Sequence, residues 1–232
     1  MKYFIVLLFL SFSIMSQVIP ESSRSKAAVD KYTPLLQTEF TQKGLQLGRP
    51  VFIRIFKQEA KLEIWVQNNS RFELFNTYPI CTFGFGGLGP KQSEGDGMAP
   101  EGFYFVTPQQ LNPYSSYHLS FNLGYPNAFD RAYGRTGSAL MVHGDCVSIG
   151  CYAMTDDKIE EIYTIVHSAL NNGQSFFRVH IFPFKMSDEN LQKHSNNQWY
   201  TFWQNLKQGY DYFEEKGNPP NVTVESKNYI FE

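Results

Sequence analysis

The sequence is poor in charge and has no excess of either sign. Charged residues make up 18% of the 232 positions, and the formal net charge is −2. Proteins that bind nucleic acid through its phosphates carry a basic surface, so no nucleic-acid partner is expected. Aromatic residues reach 16%, and Gly and Pro are spread along the chain, which favours many short strands over a helical bundle.

Long apolar runs are scarce, with one exception at the N-terminus. Lys2 precedes an almost unbroken apolar stretch, Tyr3 to Met15, which is short for a membrane span and fits the core of a signal peptide. No cysteine follows this stretch, so a lipid-modified N-terminus is not expected. We predict that residues 1–20 are a signal peptide or an N-terminal anchor, with membrane contact only if the segment stays uncleaved.

Cysteine is also scarce, with three residues at Cys81, Cys146 and Cys151. An odd count in an exported protein implies a free thiol or an intermolecular bridge. Cys146 has three interpretations, which are a second thiol at a site, a bridge partner for Cys81, or a packing residue; packing is our expectation. There is no paired C-x-x-C knuckle of the kind that zinc sites use.

The remaining chain is predicted to form one domain with helical flanks. Residues 21–48 are a helical lead-in, residues 49–183 the catalytic domain, and residues 184–232 a C-terminal helical extension. The expected fold class is α+β, mainly β, with a sandwich-like or barrel-like core. Three local patterns support it: a strand with two apolar faces, a hairpin around an Asn-Asn-Ser turn, and a helix after Cys151. They lie at Val51–Phe56, Leu62–Thr77 and Thr155–Gly173.

The segment that carries chemistry is LMVHGDCVSIGCYAMTD, residues 140–156. An imidazole at His143 can remove a proton from a thiol at Cys151 and later return it to a leaving amine. A glycine at position 150 lets the backbone turn, so that successive N–H groups point at one oxyanion. Two other interpretations remain open at this stage, which are structural packing of the histidine and cysteines, and a zinc site with Cys81 as fourth ligand.

The pattern His143-Gly144 followed by Ser148-x-Gly150-Cys151 resembles the signature of YkuD-type L,D-transpeptidases, most closely the YafK-like branch. Three blocks carry the resemblance: VFIRIFKQEAKLEIWV from Val51, LGPKQSEGDGMAPEGFY from Leu88, and HGDCVSIGCYAMTD. It extends over residues 44–231. Together the blocks are specific, whereas S-x-G-C alone is not.

The resemblance implies a role for each residue of the motif. Cys151 is the nucleophile and His143 its base, oriented by the carbonyl of Gly144, while N–H groups of Ile149, Gly150 and Cys151 form the oxyanion hole. The substrates are peptidoglycan stem peptides, attacked at the third residue to form a thioester, and no cofactor or metal takes part. The resemblance also implies a location in the periplasm or cell envelope.

The chain departs from the family at substrate recognition. Many members carry an arginine two residues after the cysteine, where this chain has Ala153, and a histidine at the position of Ile149. The candidates for binding the substrate carboxylate are therefore a different set of residues, namely Ser148, Lys91, Arg131 and Arg135.

We therefore expect a cysteine-dependent L,D-transpeptidase that cross-links the wall or attaches protein to it. Two alternatives remain at this stage. One is an amidase of the same fold that releases wall-linked envelope protein, and the other is a peptidoglycan-binding module without catalysis. The combination of His143 and Cys151 argues against the binding module.

Overall fold

The computed structural model describes residues 18–232. The predicted signal peptide or anchor, residues 1–20, therefore falls outside the described residues except for its last three positions. The helices are α1 Ser23–Gln42, α2 Ala128–Ala132, α3 Asp156–Asn171, α4 Asp188–Lys193 and α5 Tyr200–Lys216. The strands are β1 Val51–Phe56, β2 Lys61–Asn68, β3 Arg71–Pro79, β4 Gly102–Val106, β5 Leu111–Asn112, β6 Ser120–Asn122, β7 Met141–His143, β8 Tyr152–Ala153, β9 Phe177–Phe182, β10 Val222–Glu225 and β11 Asn228–Phe231.

A five-stranded sheet in the order β3-β2-β1-β9-β4 forms the centre of the fold. All six residues of β1 are buried, because β1 lies in the middle of the sheet and both faces are covered. The strand β1 pairs antiparallel with β2 and parallel with β9. The strand and hairpin predicted over residues 51–77 are confirmed, and the turn falls at Asn69, which adopts a positive φ of 52°.

The main core lies between this sheet and a second, four-stranded sheet in the order β5-β6-β7-β8. Helices α1 and α3 contribute to the same core, through residues such as Phe40 and Ile162. The mixed α+β class predicted from the sequence is confirmed. Because β7 and β8 belong to the second sheet, the segment with His143 and Cys151 is supported by the main core.

The opposite face of the central sheet is covered by the C-terminal residues. Helix α5 and the hairpin β10–β11 form a second apolar cluster there, which includes Trp203, Phe103 and Tyr229. The segment 184–232, predicted as helical throughout, contains α4 and α5 but ends in this hairpin. Its pattern is period two, since Val222 and Val224 are half-buried and alternate with exposed residues.

Helix α1 lies within the segment 21–48 that was expected as a helical lead-in. Ser22 and Ser25 form a reciprocal capping box at its start, with serine where glutamate is more usual. Pro34 lies inside the helix. Near the start of α1, Arg24 donates to the carbonyl of His118, in the loop before β6, at 2.6 Å. Among the described helices, none combines the length and apolar content needed to cross a membrane.

A fully buried ion pair fixes the glycine-rich loop between β3 and β4. Lys57 Nζ lies 3.0 Å from Glu101 Oε1, and neither side chain is exposed. The ammonium also donates to the carbonyls of Gly89 and Ala99, while the carboxylate accepts from Trp203 Nε1 at 2.8 Å. These bonds satisfy both charges and join β1, the loop and α5. The loop is therefore held from the protein interior.

Replacing Glu101 by Gln leaves the Lys57 ammonium buried without a countercharge. We expect the free energy of unfolding to fall by about 3–5 kcal/mol, because an unpaired buried charge is strongly unfavourable. Urea denaturation at neutral pH measures this change. The matched control is Glu189→Gln, whose partner Lys193 lies on the surface, and it should leave stability nearly unchanged. Equal stability of the two variants would contradict the structural role of the buried pair.

Candidate active site

The strands β7 and β8 bring Cys151 and His143 to one face of the second sheet. They run parallel, and His143 pairs with Ala153. Continued by one residue, this register sets Cys151, which directly precedes β8, beside Met141, and the Met141 N–H donates to the Cys151 sulfur. Side chains two residues apart point to the same face of a sheet, so the thiol and the imidazole lie on one side.

The structure fixes the orientation of the His143 ring. Its Nδ1 lies 2.6 Å from the carbonyl oxygen of Gly144. A carbonyl can only accept a hydrogen bond, so Nδ1 carries the proton and Nε2 has a free lone pair. Burial lowers the pKa of His143, partly offset by the Gly144 carbonyl and the charge of Asp145. The imidazole is therefore neutral at neutral pH and able to accept a proton at Nε2.

The Cys151 side chain is a free, half-buried thiol. Its sulfur accepts from the Met141 N–H at 3.4 Å and donates to the Ala139 carbonyl at 3.6 Å, so neither of its two bonds goes to His143. Burial raises its pKa, against the smaller lowering effects of the Met141 N–H and the Lys91 charge. The resting site is thus a neutral pair, thiol and imidazole. Hydrogen bonds between catalytic groups are often absent until substrate binds.

The turn before Cys151 is braced by one side chain. Ser148 Oγ accepts from the Gly150 N–H at 2.9 Å and donates to the Cys151 carbonyl at 2.7 Å. Gly150, expected as an oxyanion donor, is therefore already bonded. Within residues 18–232 the N–H groups of Ile149 and Cys151 have no hydrogen-bond partner. These two amides are the available donors for an oxyanion.

Position 150 requires glycine for a steric reason. Its φ is +153°, and a Cβ there would lie 3.1 Å from the carbonyl oxygen of Met98 in the glycine-rich loop. The loop thus packs directly against the turn that carries Cys151. The glycine-rich loop therefore borders the candidate site.

The beginning of the connection between β7 and β8 is held by two further bonds. Asp145 and Cys146 both have positive φ, at 66° and 48°, which is unfavourable for residues with a side chain. The Asp145 N–H donates to Asp156 Oδ1 at 2.8 Å. A disulfide joins Cys146 to Cys81 at the end of β3. Together they retain this backbone conformation.

The disulfide corrects our expectation that Cys146 is a packing residue. Both of its cysteines are exposed, so Cys146 contributes a covalent link and not core packing. The same bond contradicts the zinc interpretation, because it uses the sulfurs of two of the four proposed ligands. Among the residues that the structure describes, no group of three or more His, Cys, Asp or Glu side chains is placed to hold a metal ion.

The segment with His143 and Cys151 lies within a domain of a known family. The family model of the YkuD L,D-transpeptidase catalytic domain matches residues 50–181, more than half of the chain. The chain belongs to the YkuD L,D-transpeptidase family. It is also 49% identical over 184 residues to YafK of Escherichia coli, provisionally named an L,D-transpeptidase, covering 79% of this chain and 74% of YafK. The protein is therefore a transpeptidase-type enzyme, and its function is related to peptidoglycan.

Solved structures with a similar course of the chain are more distant. Pgp2, described as a helical cell shape determining protein of Campylobacter jejuni, is 16% identical, with a TM-score of 0.46, over 82% of this chain and 80% of Pgp2. Bd1075 of Bdellovibrio bacteriovorus is 16% identical, with a TM-score of 0.43, over 79% of this chain and 84% of Bd1075. At these TM-scores neither adds to the family assignment.

In the structure, the four residues of this YkuD domain that were expected to bind substrate lie in different surroundings. Ser148 is engaged within the turn. Arg135 is buried, pairs with Asp130 at 2.8 Å and is surrounded by aromatic rings, so the expectation for it is corrected. Arg131 is exposed and donates to the Pro126 carbonyl, away from the turn. Lys91 pairs with Asp96 at 2.7 Å, and its charge acts on Cys151.

Sequence reasoning missed two contributors to the site. The Tyr117 ring lies 4.7 Å from the His143 ring and is 42% exposed, so it covers the imidazole while still reaching solvent. Asp156, the first residue of α3, holds the Asp145 amide. Neither residue belongs to the motif, and their roles depend on long-range contacts that one sequence does not display.

Removing the disulfide should destabilise the domain. Its cysteines are 65 residues apart, and closing a loop of that size restricts the unfolded chain. For the double variant Cys81→Ser with Cys146→Ser we expect the free energy of unfolding to fall by about 2–5 kcal/mol in urea denaturation. Unchanged stability would show that the link does not hold the fold.

A thiol count is the direct control for this disulfide. The folded, unreduced protein should react with a thiol reagent at Cys151 alone, and the reduced, unfolded chain at all three cysteines. Three reactive thiols before reduction would contradict the link.

The charge of Lys91 should affect the reactivity of Cys151. A positive charge favours the thiolate, so Lys91→Met removes that stabilisation and raises the pKa of Cys151 further. We expect the pH midpoint of iodoacetamide alkylation to move upward. Lys61→Met, at the exposed start of β2, is the control and should leave the midpoint unchanged. A midpoint that stays or falls in Lys91→Met would exclude this effect.

Proposed function

We propose that this protein is a cysteine-dependent L,D-transpeptidase that acts on peptidoglycan stem peptides through a thioester. The observation that supports the proposal most is the placement of a free thiol and an oriented, neutral imidazole on one face of β7 and β8. Membership of the YkuD family gives the substrate class. We also propose that it acts outside the cytoplasm, in the periplasm or cell envelope.

The first half of the reaction forms the acyl-enzyme. When a stem peptide occupies the site, Nε2 of His143 accepts the proton of Cys151, and the sulfur attacks the carbonyl carbon of the third residue. The oxyanion that forms accepts from the N–H groups of Ile149 and Cys151, the two donors without another partner. Its collapse breaks the amide bond to the terminal residue, and His143 returns the proton to the leaving amine.

The second half resolves the thioester with an acceptor. An amine gives a cross-link or a protein–wall bond, and water gives a hydrolysed stem. In both cases His143 removes a proton from the acceptor and returns it to the sulfur. The residues of the site are the same for an amine and for water. The amidase alternative, in which the entering amide belongs to a wall-linked envelope protein, therefore uses the same chemistry with a different substrate.

The proposal is tested with purified muropeptides and wall-linked envelope protein, with products analysed by mass spectrometry. We expect Cys151→Ala to reduce turnover at least about 1,000-fold and His143→Gln by about 100-fold to 10,000-fold, because the nucleophile and its base act as a unit. The matched control is His167→Gln, a histidine on α3 outside the site. A carbapenem should form an adduct on Cys151.

The products distinguish the possible outcomes. Cross-linked stems support transfer to an amine, and released protein or trimmed stems support hydrolysis. A folded protein that binds muropeptides, forms no adduct and turns over neither substrate would contradict the proposal and favour the binding-module interpretation.

A further inference from the structure

A groove lies between the C-terminal hairpin and the end of the central sheet. Its first part is a cavity of about 290 Å³ bordered by β4, β9 and β10. A second cavity of about 340 Å³ adjoins it and shares Tyr104, Phe105, Asn127 and Ala128 with the first. The lining residues of both cavities differ from those that surround Cys151, so the groove is separate from the candidate active site.

The groove forms because the C-terminal residues that cover this face of the central sheet stop short of its last strand, β4. Side chains of β9 alternate, so that Val179 enters the main core while Arg178 and His180 face the other side. Phe105 and Phe176 continue that side and are 57% and 37% exposed, with ring centres 5.6 Å apart. Large exposed aromatic side chains grouped in a concavity are typical of interaction sites.

The groove carries two positive charges and no carboxylate. Arg178 lines the first cavity, donates to Asn221 Oδ1 at 2.6 Å and lies over the Phe176 ring. Arg131 lines the second cavity. In the described part of the chain neither guanidinium has an acidic partner within salt-bridge distance, although burial lowers the pKa of Arg178. A half-buried cation without a countercharge gains most from an external anion.

A buried polar group in the wall of the first cavity also lacks a partner. His180 is 1% exposed, and its Nδ1 has no hydrogen bond within residues 18–232. Burial and the nearby charges of Arg178 and Arg54 lower its pKa, so the ring is neutral. His180 is therefore a neutral part of the wall, and the charges that line the groove in the described residues are those of the two arginines.

We propose that this groove binds an acidic peptide segment of another protein, with an apolar residue between two carboxylates. One carboxylate pairs with Arg178 and the other with Arg131, while the apolar side chain packs against Phe105, which lines both cavities. Arginine binds carboxylates through two parallel hydrogen bonds, and arginine and aromatic residues contribute most of the affinity in many interfaces. The inference does not depend on the proposed catalytic function.

The size of the groove agrees with this ligand. The cavities, of about 290 Å³ and 340 Å³, are at the lower end of the roughly 300–1,000 Å³ typical of small-molecule sites, so each has room for one side chain and its carboxylate. Two adjoining cavities with one cation each fit two anionic groups on an extended backbone better than they fit one compact molecule. The carbonyls of Phe103 and Phe105 on β4 accept from Asn127 and Gln110, so we expect the segment to be held by its side chains and not by strand pairing.

The test uses the full chain, labelled with ¹⁵N, and matched pairs of short peptides. The probes are acetyl-Glu-Xaa-Glu-amide and acetyl-Gln-Xaa-Gln-amide, with Phe, Leu or Tyr at the centre. We expect at least one acidic peptide to cause saturable NMR shifts at Phe105, Arg178 and Val222, with affinity falling as salt is added. The neutral counterpart of that peptide should bind at least tenfold more weakly. The acidic peptide should likewise bind the variant Arg178→Gln at least tenfold more weakly. Arg49→Gln, an exposed arginine elsewhere, should not.

Several outcomes would overturn the proposal. They are equal binding of the acidic and neutral peptides, unchanged binding by Arg178→Gln, and no saturation by any peptide at about 1 mM, the limit of weak binding. Binding of 3-phenylpropanoate without binding of any peptide would show a small-carboxylate site and reject a protein partner. If Arg178→Gln fails to fold, Phe105→Ala at an exposed position serves instead, with the same expected loss.

Discussion

The short parallel connection between β7 and β8 is the constraint on which the site depends. Parallel strands are usually joined by a crossover of a dozen or more residues. Here the eight residues 144–151 make the return. So short a link restricts the backbone conformations of its residues. This restriction accounts for the left-handed backbone at Asp145 and Cys146 and for the glycine at position 150. The conformation that presents Cys151 is retained by the bonds at both ends of the link.

These bonds approach the link from different parts of the fold. The disulfide joins the link to the end of β3, and Asp156 at the start of α3 accepts from its Asp145 amide. Met98 contacts the link from the loop that the Lys57–Glu101 pair anchors. None of these groups is placed to act on a substrate directly. They fix the amides and the sulfur before substrate arrives, and such preorganisation is the main source of electrostatic catalysis. The neutral thiol and neutral imidazole also avoid the cost of burying separated charges.

The sequence predicted the elements whose signals are local. The strand at Val51–Phe56, the hairpin around Asn69 and the helix after Thr155 follow from periodicity and turn chemistry. The motif also predicts the pair His143 and Cys151, whose catalytic role stays a prediction. The C-terminal hairpin was missed because its four-residue strands are too short to show a clear alternation. Helix α1 lies within the lead-in expected over residues 21–48, and a serine pair caps its start where glutamate is the more usual signal.

What the sequence could not predict are contacts between distant positions. The four candidates for substrate binding were chosen by charge or by their place in the motif. Only tertiary structure shows that Asp130 neutralises Arg135 and that Lys91 alone acts on Cys151. The same limit applied to Cys146, since spacing does not reveal that the end of β3 lies beside it. The Gly150 amide donates to Ser148 Oγ, which likewise removes one of the three expected oxyanion donors.

The disulfide and the free thiol require opposite redox states of cysteine. Cys81 and Cys146 form a bond that persists in oxidising compartments, whereas Cys151 needs a free thiol to serve as a nucleophile. The fold meets both demands by pairing the first two cysteines across β3 and the link. Cys151 is then left without a partner in its own chain. Half-burial and a raised pKa keep its thiolate fraction low at rest, and oxidation proceeds through the thiolate. The burial that weakens the proposed nucleophile at rest therefore also protects its thiol from oxidation.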